Sequence, residues 1–118
     1  MLSGIMSITI YHNSQCSNSR KALELIRERG LEPVVVEYLK TPPKREELQG
    51  LIGKLGVPVR EVMRSKEPVY TELNLAAAGD GALLDAIAAH PVLLNRPIVV
   101  TPKGAKLCRA GETVLELL

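Results

Sequence analysis

The sequence predicts an α/β fold in which a mixed sheet is built from a βαβ half and a ββα half, with a helical insertion between them. Apolar and polar residues alternate near the N-terminal end, helical periodicity dominates the middle of the chain, and alternation returns near the C-terminal end. The 118 residues have the length of one domain, and no repeat, low-complexity tract or long linker divides them. We therefore expect a single domain over residues 1–118.

The first forty residues predict the order strand, helix, strand. Residues 8–12 (ITIYH) alternate as a short strand does, and the stretch SNSRKALELIRERG that follows has helical spacing and ends at Gly30, a helix stop signal. Residues 33–39 (PVVVEYL) form an apolar run that is typical of a buried strand. This order predicts two parallel strands joined by a right-handed crossover.

The middle of the chain is predicted to be mostly helical. Residues 41–56 carry leucine and isoleucine at positions i, i+3, i+4 and i+7 and end in glycine, which predicts a helix. Further helical blocks are predicted in residues 57–64 (VPVREVMR) and 81–90 (GALLDAIAAH). The segment between these two blocks is predicted to be irregular.

The C-terminal part of the chain returns to a strand pattern. Residues 97–101 (PIVVT), a PKG turn and residues 105–110 (AKLCRA) predict a β-hairpin, and residues 111–118 (GETVLELL) predict a final helix. The complete order is that of a thioredoxin-like sheet, with the helical insertion between its two halves.

Composition and charge exclude several kinds of partner. The chain has 15 Lys and Arg against 13 Asp and Glu, and its basic residues are scattered instead of forming a patch. Only 3% of the residues are aromatic, so no stacking surface for nucleic acid is predicted. The N-terminal residues, with Met1 and Met6 as candidate starts, carry neither a basic signal region nor a long apolar run. We therefore expect no nucleic acid, no membrane and a cytoplasmic location.

Cys16 lies where the first predicted strand gives way to a helix. Unpaired N–H groups and the positive end of the helix dipole favour a thiolate at such a position, and the same N–H groups can hold an oxyanion. His12, Ser19 and Arg20 could each supply a donor or a charge. Polar residues on both sides of the cysteine favour a reactive thiol, although a turn residue without chemistry is the alternative.

The spacing around the two cysteines excludes two related chemistries. Ser19 stands where a dithiol oxidoreductase has its second cysteine, so Cys16 needs an external thiol to regenerate it. Arg20 follows Cys16 too closely for the phosphate loop of a tyrosine phosphatase. Cys108, on a predicted strand, is interpreted as buried and inert.

Three segments of the chain resemble the glutaredoxin-coupled arsenate reductases of bacteria, and together they extend over nearly its whole length. These segments are ITIYHNSQCSNSR, VPVREVMRSKEPVY and HPVLLNRPIVVTPKGAKLCR. The resemblance implies that Cys16 is the nucleophile and that His12 and Ser19 activate its thiol. It also implies three arginines around a bound oxyanion: Arg64, Arg96 and Arg109.

The resemblance further implies a cis peptide bond before Pro97, near the thiol. Arg60 lies in a matched segment but is interpreted as a solvated surface charge, the usual state of an arginine. The family commonly has a proline where this chain has Ser14, and glycine and threonine where it has Ser17 and Asn18. We therefore expect a less rigid loop around the cysteine.

The implied activity is the reduction of arsenate to arsenite. Cys16 attacks arsenic and displaces water, glutathione adds and the pair reduces As(V) to As(III), and glutaredoxin then releases the product. The expected partners are arsenate, glutathione as a co-substrate, and glutaredoxin, with no bound cofactor or metal and with the chain as a monomer. Two alternatives stay open: a glutathione-dependent thiol reductase of unknown substrate, and a redox regulator that binds RNA polymerase, although Ser19 removes the usual C-x-x-C switch.

Overall fold

The computed structural model describes residues 8–118, so the two candidate starts, Met1 and Met6, lie outside the described residues. The described chain contains one four-stranded sheet in the order β2-β1-β3-β4. β1 pairs in parallel with β2 and antiparallel with β3, and β3 pairs antiparallel with β4. The strands are β1 (Thr9–His12), β2 (Val34–Glu37), β3 (Ile98–Thr101) and β4 (Gly104–Leu107). The predicted thioredoxin-like order of a βαβ half and a ββα half is confirmed.

The helical segments follow the predicted order but differ in type. The α-helices are α1 (Ser17–Glu28), α2 (Arg45–Leu55), α3 (Pro68–Glu72) and α4 (Asp80–Ala89), and 3₁₀ segments lie at Val59–Val62, Leu75–Ala77, Pro91–Leu93 and Gly111–Leu117. Among residues 8–118, no helix has the length and apolar character needed to cross a membrane.

Two predicted helical blocks and one segment predicted to be irregular differ in detail from the structure. The block over 57–64 is only a short 3₁₀ turn, because its β-branched valines and Pro58 disfavour an α-helix. The final segment is also a 3₁₀ helix, Gly111–Leu117. Conversely, the segment predicted to be irregular contains α3, which begins at Pro68, where the fixed φ of proline suits the first helical position.

The described residues form two compact units. The first, here called the sheet unit, contains residues up to Tyr38 together with Arg96–Leu118, and it carries the sheet, α1 and the C-terminal 3₁₀ helix. The second, here called the helical unit, is Leu39–Asn95. The helical unit corresponds to the predicted insertion, and the single-domain expectation stays a prediction.

The core of the sheet unit lies between the sheet, α1 and the C-terminal 3₁₀ helix. Its buried members are aliphatic side chains and one cysteine: Ile8, Ile10, Ala22, Ile26, Val99, Cys108, Val114 and Leu117. The prediction that residues 33–39 form a buried strand is wrong, because Val34 is 64% exposed and Glu37 is exposed. β2 lies at the edge of the sheet, so it has one neighbouring strand where a central strand has two.

The C-terminal 3₁₀ helix packs directly on α1. Gly111 is buried, and a Cβ atom at this position would lie 2.7 Å from Lys21 Cβ and 3.0 Å from the carbonyl oxygen of Asn18. Glycine is required here because the two backbones approach too closely for any side chain. The Thr101 hydroxyl donates to the Leu117 carbonyl at 3.1 Å and attaches the same helix to β3.

The helical unit is held together by an aliphatic interface and by one arginine. α2 buries Leu48, Leu51 and Ile52, and α4 buries Leu83, Leu84, Ala86 and Ile87. The interpretation of Arg60 as a merely solvated charge is wrong. Its guanidinium donates to the Tyr70 hydroxyl at 2.7 Å and to the carbonyls of Leu75 and Ala78 at 3.0 and 2.8 Å. Arg60 therefore fixes the chain between α3 and α4, because its several donors reach three acceptors in this part of the chain.

Candidate active site

Cys16 occupies the junction between β1 and α1, as the sequence predicts. It directly precedes the first helical turn, with extended backbone angles of φ −97° and ψ 123°, and it is partly exposed. Within the described chain its thiol makes no capping hydrogen bond to α1, which leaves the N–H groups of the first turn without this cap. These groups and the helix dipole favour a bound anion at this position.

His12 and Ser19, the two residues predicted to activate the thiol, contact each other. The distance from His12 Nδ1 to Ser19 Oγ is 2.7 Å, and both side chains are buried. Burial lowers the pKa of His12, and the charge of Glu37, which acts in the opposite sense, is smaller in effect. The ring is therefore neutral near pH 7.

The direction of the hydrogen bond between Ser19 and His12 is linked to the nitrogen of His12 that carries the proton. Ser19 Oγ already accepts the backbone N–H of Asn13 at 3.0 Å. If Ser19 donates its own proton to His12 Nδ1, the hydroxyl uses its donor and an acceptor, and the neutral ring keeps its proton on Nε2. Ser19 thus links the end of β1 to the first turn of α1, whereas its effect on the Cys16 thiol stays a prediction.

The strand register brings Cys16 and two of the predicted arginines to one end of the sheet. Tyr11 pairs with Ile98, and Ile98 pairs with Leu107 in the antiparallel β1-β3-β4 arrangement. Because β1 ends where β3 begins and where β4 ends, the loop after β1 lies at the same end as Arg96 and Arg109. The structure thus places the Cys16 loop, Arg96 and Arg109 at one end of the sheet, whereas the gathering of the arginines around an oxyanion stays a prediction.

Arg96 and Arg109 differ in how far their side chains are buried at this end of the sheet. Arg96 Nε is buried and makes no hydrogen bond there, and the peptide bond between Arg96 and Pro97 is cis, as predicted. Arg109 is exposed. A buried donor on a cation without an acceptor is unfavourable, so the Arg96 side chain is suited to an anionic ligand.

Arg64, the third predicted arginine, belongs to the helical unit. Its backbone N–H donates to the Leu93 carbonyl at 2.8 Å, and its Nη1 lies 3.3 Å from Glu67 Oε2. Both side chains of this ion pair are partly buried. Sequence reasoning did not identify Glu67, and the assignment of Arg64 to the oxyanion stays a prediction.

Cys108 is buried immediately after β4, which confirms the interpretation of this residue. Burial raises the pKa of its thiol to about 12, although Lys106 acts in the opposite sense. Its sulfur lies 3.7 Å from the carbonyl oxygen of Lys106. A thiol with this pKa is protonated near neutral pH, so Cys108 is not a competing nucleophile.

Asn13 and Arg20 shape the loop before Cys16, and the sequence analysis assigned neither of them this role. Asn13 Oδ1 accepts the backbone N–H of Gln15 at 2.9 Å, and Arg20 Nη1 donates to the Ser14 carbonyl at 2.8 Å. The contact of Asn13 is an Asx turn, a local pattern that asparagine commonly forms and that could have been predicted. No local pattern identifies the acceptor of an arginine side chain.

Comparison with known proteins identifies the family. Residues 11–117 match the ArsC family. The chain belongs to the ArsC family. An arsenate reductase of Rhizobium meliloti (strain 1021) is 50% identical over 115 residues, which cover 96% of this ArsC-family chain and 82% of the relative. An arsenate reductase of Escherichia coli is 52% identical over 114 residues, which cover 95% of this chain and 81% of the relative.

The solved structure of an arsenate reductase from Vibrio cholerae is similar to this ArsC-family chain. Its TM-score is 0.92 at 48% sequence identity, and the match covers 96% of this chain and 98% of that chain. The resemblance that was first found in three sequence segments is thereby confirmed.

The arrangement in this ArsC-family chain suits nucleophilic attack on an anion. It combines a cysteine at a helix N-terminus with an arginine whose buried Nε has no acceptor among the described residues, at one end of one sheet. Residues 8–118 contain no cluster of three or more His, Cys, Asp or Glu that could hold a metal ion. A cysteine and an arginine placed in this way are suited to thiol chemistry on an oxyanion.

Proposed function

We propose that this ArsC-family protein is an arsenate reductase, which reduces arsenate to arsenite with Cys16 as the nucleophile and with glutathione and glutaredoxin as reductants. One observation carries the proposal. The buried Nε of Arg96 has no acceptor among the described residues, at the end of the sheet where Cys16 precedes α1. The relatives that are about half identical to this chain are named arsenate reductases, which supports the same substrate.

The chemistry of arsenate fits this set of residues. Arsenate is a negatively charged, tetrahedral oxyanion, and the planar guanidinium group presents several donors in a fixed geometry to such an ion. N–H groups at the start of α1 supply further donors. The assignments of Arg64 and Arg109 to the same ion remain part of the proposal and are tested below.

The proposed reaction has three steps. The Cys16 thiolate attacks arsenic to form a sulfur–arsenic bond, and one arsenate oxygen leaves as water after protonation. The glutathione sulfur then bonds to that of Cys16 in a disulfide while the sulfur–arsenic bond breaks. The electron pair of that bond stays on arsenic, the thiol proton passes to an arsenite oxygen, and arsenite leaves as As(III). Glutaredoxin finally exchanges with the mixed disulfide, takes up the glutathione and returns Cys16 as a thiol.

The arginines contribute most in the first step. Guanidinium groups stabilise the charge on the remaining oxygens as the adduct forms, and fixed donors do so without reorganisation. We also infer a cytoplasmic location, because glutathione and glutaredoxin act in a compartment that keeps thiols reduced.

The proposal is tested by NADPH oxidation in a coupled assay with arsenate, glutathione, glutaredoxin and glutathione reductase. We expect turnover in the wild type, none in Cys16→Ser, and a fall of about a hundredfold in kcat/KM in Arg96→Ala, as for removal of one oxyanion donor. Arg64→Ala and Arg109→Ala should also lower kcat/KM. Cys108→Ala and Arg27→Ala are matched controls, since Cys108 is buried and Arg27 is paired with Glu32 on the surface.

Two outcomes would contradict the proposal. If the wild type shows no arsenate-dependent turnover while Cys16 still alkylates rapidly, the protein is a glutathione-dependent thiol reductase with another substrate. If Arg96→Ala retains full activity, the buried Nε of Arg96 does not bind the anion, which then binds elsewhere.

A further inference from the structure

The peptide bond between Ser14 and Gln15 is hydrogen-bonded at both of its polar ends by side chains. Its carbonyl oxygen accepts Arg20 Nη1 at 2.8 Å, and its N–H donates to Asn13 Oδ1 at 2.9 Å. A peptide plane can rotate between two flanking residues only if both of these bonds break. The peptide plane between Ser14 and Gln15 is therefore held in one orientation. The two hydrogen bonds that hold it, with Arg20 and Asn13, are here called the clamp.

The clamped peptide forms the centre of the turn that leads into Cys16. The Cys16 N–H donates to the Asn13 carbonyl at 3.0 Å, which closes a four-residue turn with Ser14 as its second residue. Ser14 and Gln15 are not among the described residues with positive φ, so the turn is of type I rather than type II. Proline is favoured at the second position of such a turn because its φ is already fixed, whereas serine leaves this dihedral free.

Arg20 is connected to both sides of this junction. Its backbone N–H donates to the Cys16 carbonyl at 3.0 Å within the first turn of α1, while its side chain reaches back to Ser14. The same residue therefore joins the helix to the turn that precedes it. Because a guanidinium carries a full charge, its bond to a carbonyl is stronger than one between neutral groups.

We propose that Arg20 is a positioning residue for the nucleophile, which holds the Ser14 carbonyl so that the turn delivers Cys16 to the N-terminus of α1 in a single orientation. It supplies through a side chain the rigidity that a proline at position 14 would supply through its ring. The consequence for turnover rests on the proposed function, whereas the clamp itself does not. A nucleophile and its surrounding N–H dipoles act best when they are held in place before the substrate binds.

The clamp is tested directly by NMR amide exchange in the full-length protein. In Arg20→Ala we expect the Gln15 and Cys16 amides to exchange about fivefold faster, while the amides of β1 and β3 are unchanged. Arg27→Ala is the matched control. Arg27 lies on the same helix and, like Arg20, its charge lowers the pKa of His12, but its guanidinium bonds Glu32 instead of the loop.

The set of amides that exchange faster in Arg20→Ala decides whether the clamp exists. Faster exchange confined to the turn in Arg20→Ala, absent in Arg27→Ala and partly reversed in Arg20→Lys, supports the clamp. Unchanged exchange at Gln15 would overturn it, and so would a uniform increase across β1 and β3, which would mean that Arg20 only stabilises the fold as a whole.

A double-mutant cycle separates the clamp from direct anion binding. Ser14→Pro presets the turn without removing the Ser14 carbonyl, so Arg20→Ala should have little effect on the iodoacetamide alkylation rate of Cys16 in that background. Equal effects of Arg20→Ala in both backgrounds would contradict the proposal. These readouts need no arsenate, so they remain informative if the proposed function fails.

Turnover provides the last discrimination. If arsenate is reduced, Arg20→Ala should lower kcat about fivefold with KM nearly unchanged, because the nucleophile is misplaced while the anion still binds. A rise in KM at constant kcat would show that Arg20 binds the substrate directly and would overturn the positioning role.

Discussion

At the scale of the residue, position in the fold gives the two cysteines opposite chemistry. Cys16 is partly exposed at the start of α1, beside the N–H groups of the first helical turn. Cys108 is fully buried, and burial raises the pKa of its thiol to about 12. The same functional group is therefore accessible at one position, where we propose that it is the nucleophile, and a small apolar side chain at the other.

This contrast predicts selective alkylation. In the native protein near neutral pH, iodoacetamide should modify Cys16 and leave Cys108 unmodified, because only Cys16 is accessible and Cys108 stays protonated. Peptide mass spectrometry after timed quenching measures both sites in one sample. In urea both thiols should react, which serves as the control. Rapid native labelling of Cys108 would contradict its described burial.

At the scale of the element, α1 determines the geometry of the site because it packs both on the sheet and on the C-terminal 3₁₀ helix. One face packs on the sheet through Ala22 and Ile26, and its N-terminal turn lies against the C-terminal 3₁₀ helix at Gly111. The helix that follows the nucleophile is thus fixed by the opposite end of the chain. Its orientation depends on close backbone packing that only glycine allows.

A methyl group at Gly111 should destabilise the protein. Gly111→Ala would place Cβ at 2.7 Å from Lys21 Cβ and 3.0 Å from a backbone oxygen, so α1 and the 3₁₀ helix must separate. We expect the free energy of unfolding to fall by about 1–3 kcal/mol in urea titrations, as for other overpacked sites.

Gly50→Ala is the control for this substitution. Gly50 lies within α2 and is exposed, and a Cβ atom added there would meet no other atom within 4 Å. Alanine at this position should therefore raise the free energy of unfolding by about 0.5–1 kcal/mol. Equal stability of the two variants would show that the approach at Gly111 is not restrictive.

At the scale of the whole molecule, the buried pair of His12 and Ser19 links folding to pH. Burial lowers the pKa of His12 below its ordinary value of 6.5 in the folded state. At a pH between the pKa of His12 in the folded state and that in the unfolded state, the unfolded chain binds more protons than the folded one. The free energy of unfolding therefore decreases as the pH falls. The contribution of neutral His12 to the free energy of unfolding is fully present above about pH 6.5. It is lost as the pH falls through the lower pKa of His12 in the folded state.

Replacement of His12 should therefore weaken the acid sensitivity of folding. We expect the wild type to lose more stability than His12→Asn between about pH 8 and about pH 5.5, because both proteins share the same carboxylates. Urea unfolding followed by circular dichroism at each pH measures the difference. Parallel pH profiles would mean that His12 takes up its proton equally readily in both states.

Much of the fold was predictable because local patterns decide it. The alternation in residues 8–12, the helical spacing after Cys16 and the leucine repeat before Gly56 each predict an element that the structure contains. The exposure of Val34 was not predictable, because an apolar run does not reveal whether its strand lies at the centre or the edge of a sheet. The helical blocks predicted over 57–64 and 111–118 contain 3₁₀ helices, and this type was not predictable, since 3₁₀ and α-helices show similar short-range spacing.

The sequence by itself determined the order of the elements and the place of Cys16 before a helix, because strand alternation, helix periodicity and stop signals act over a few neighbouring residues. Only the tertiary structure decided what each arginine does. Arg60 binds carbonyls and Arg64 pairs with Glu67, whereas Arg96 keeps a buried donor that nothing in residues 8–118 accepts. An arginine side chain is long, and its partners come from distant parts of the chain, so its role depends on the packing of the whole fold.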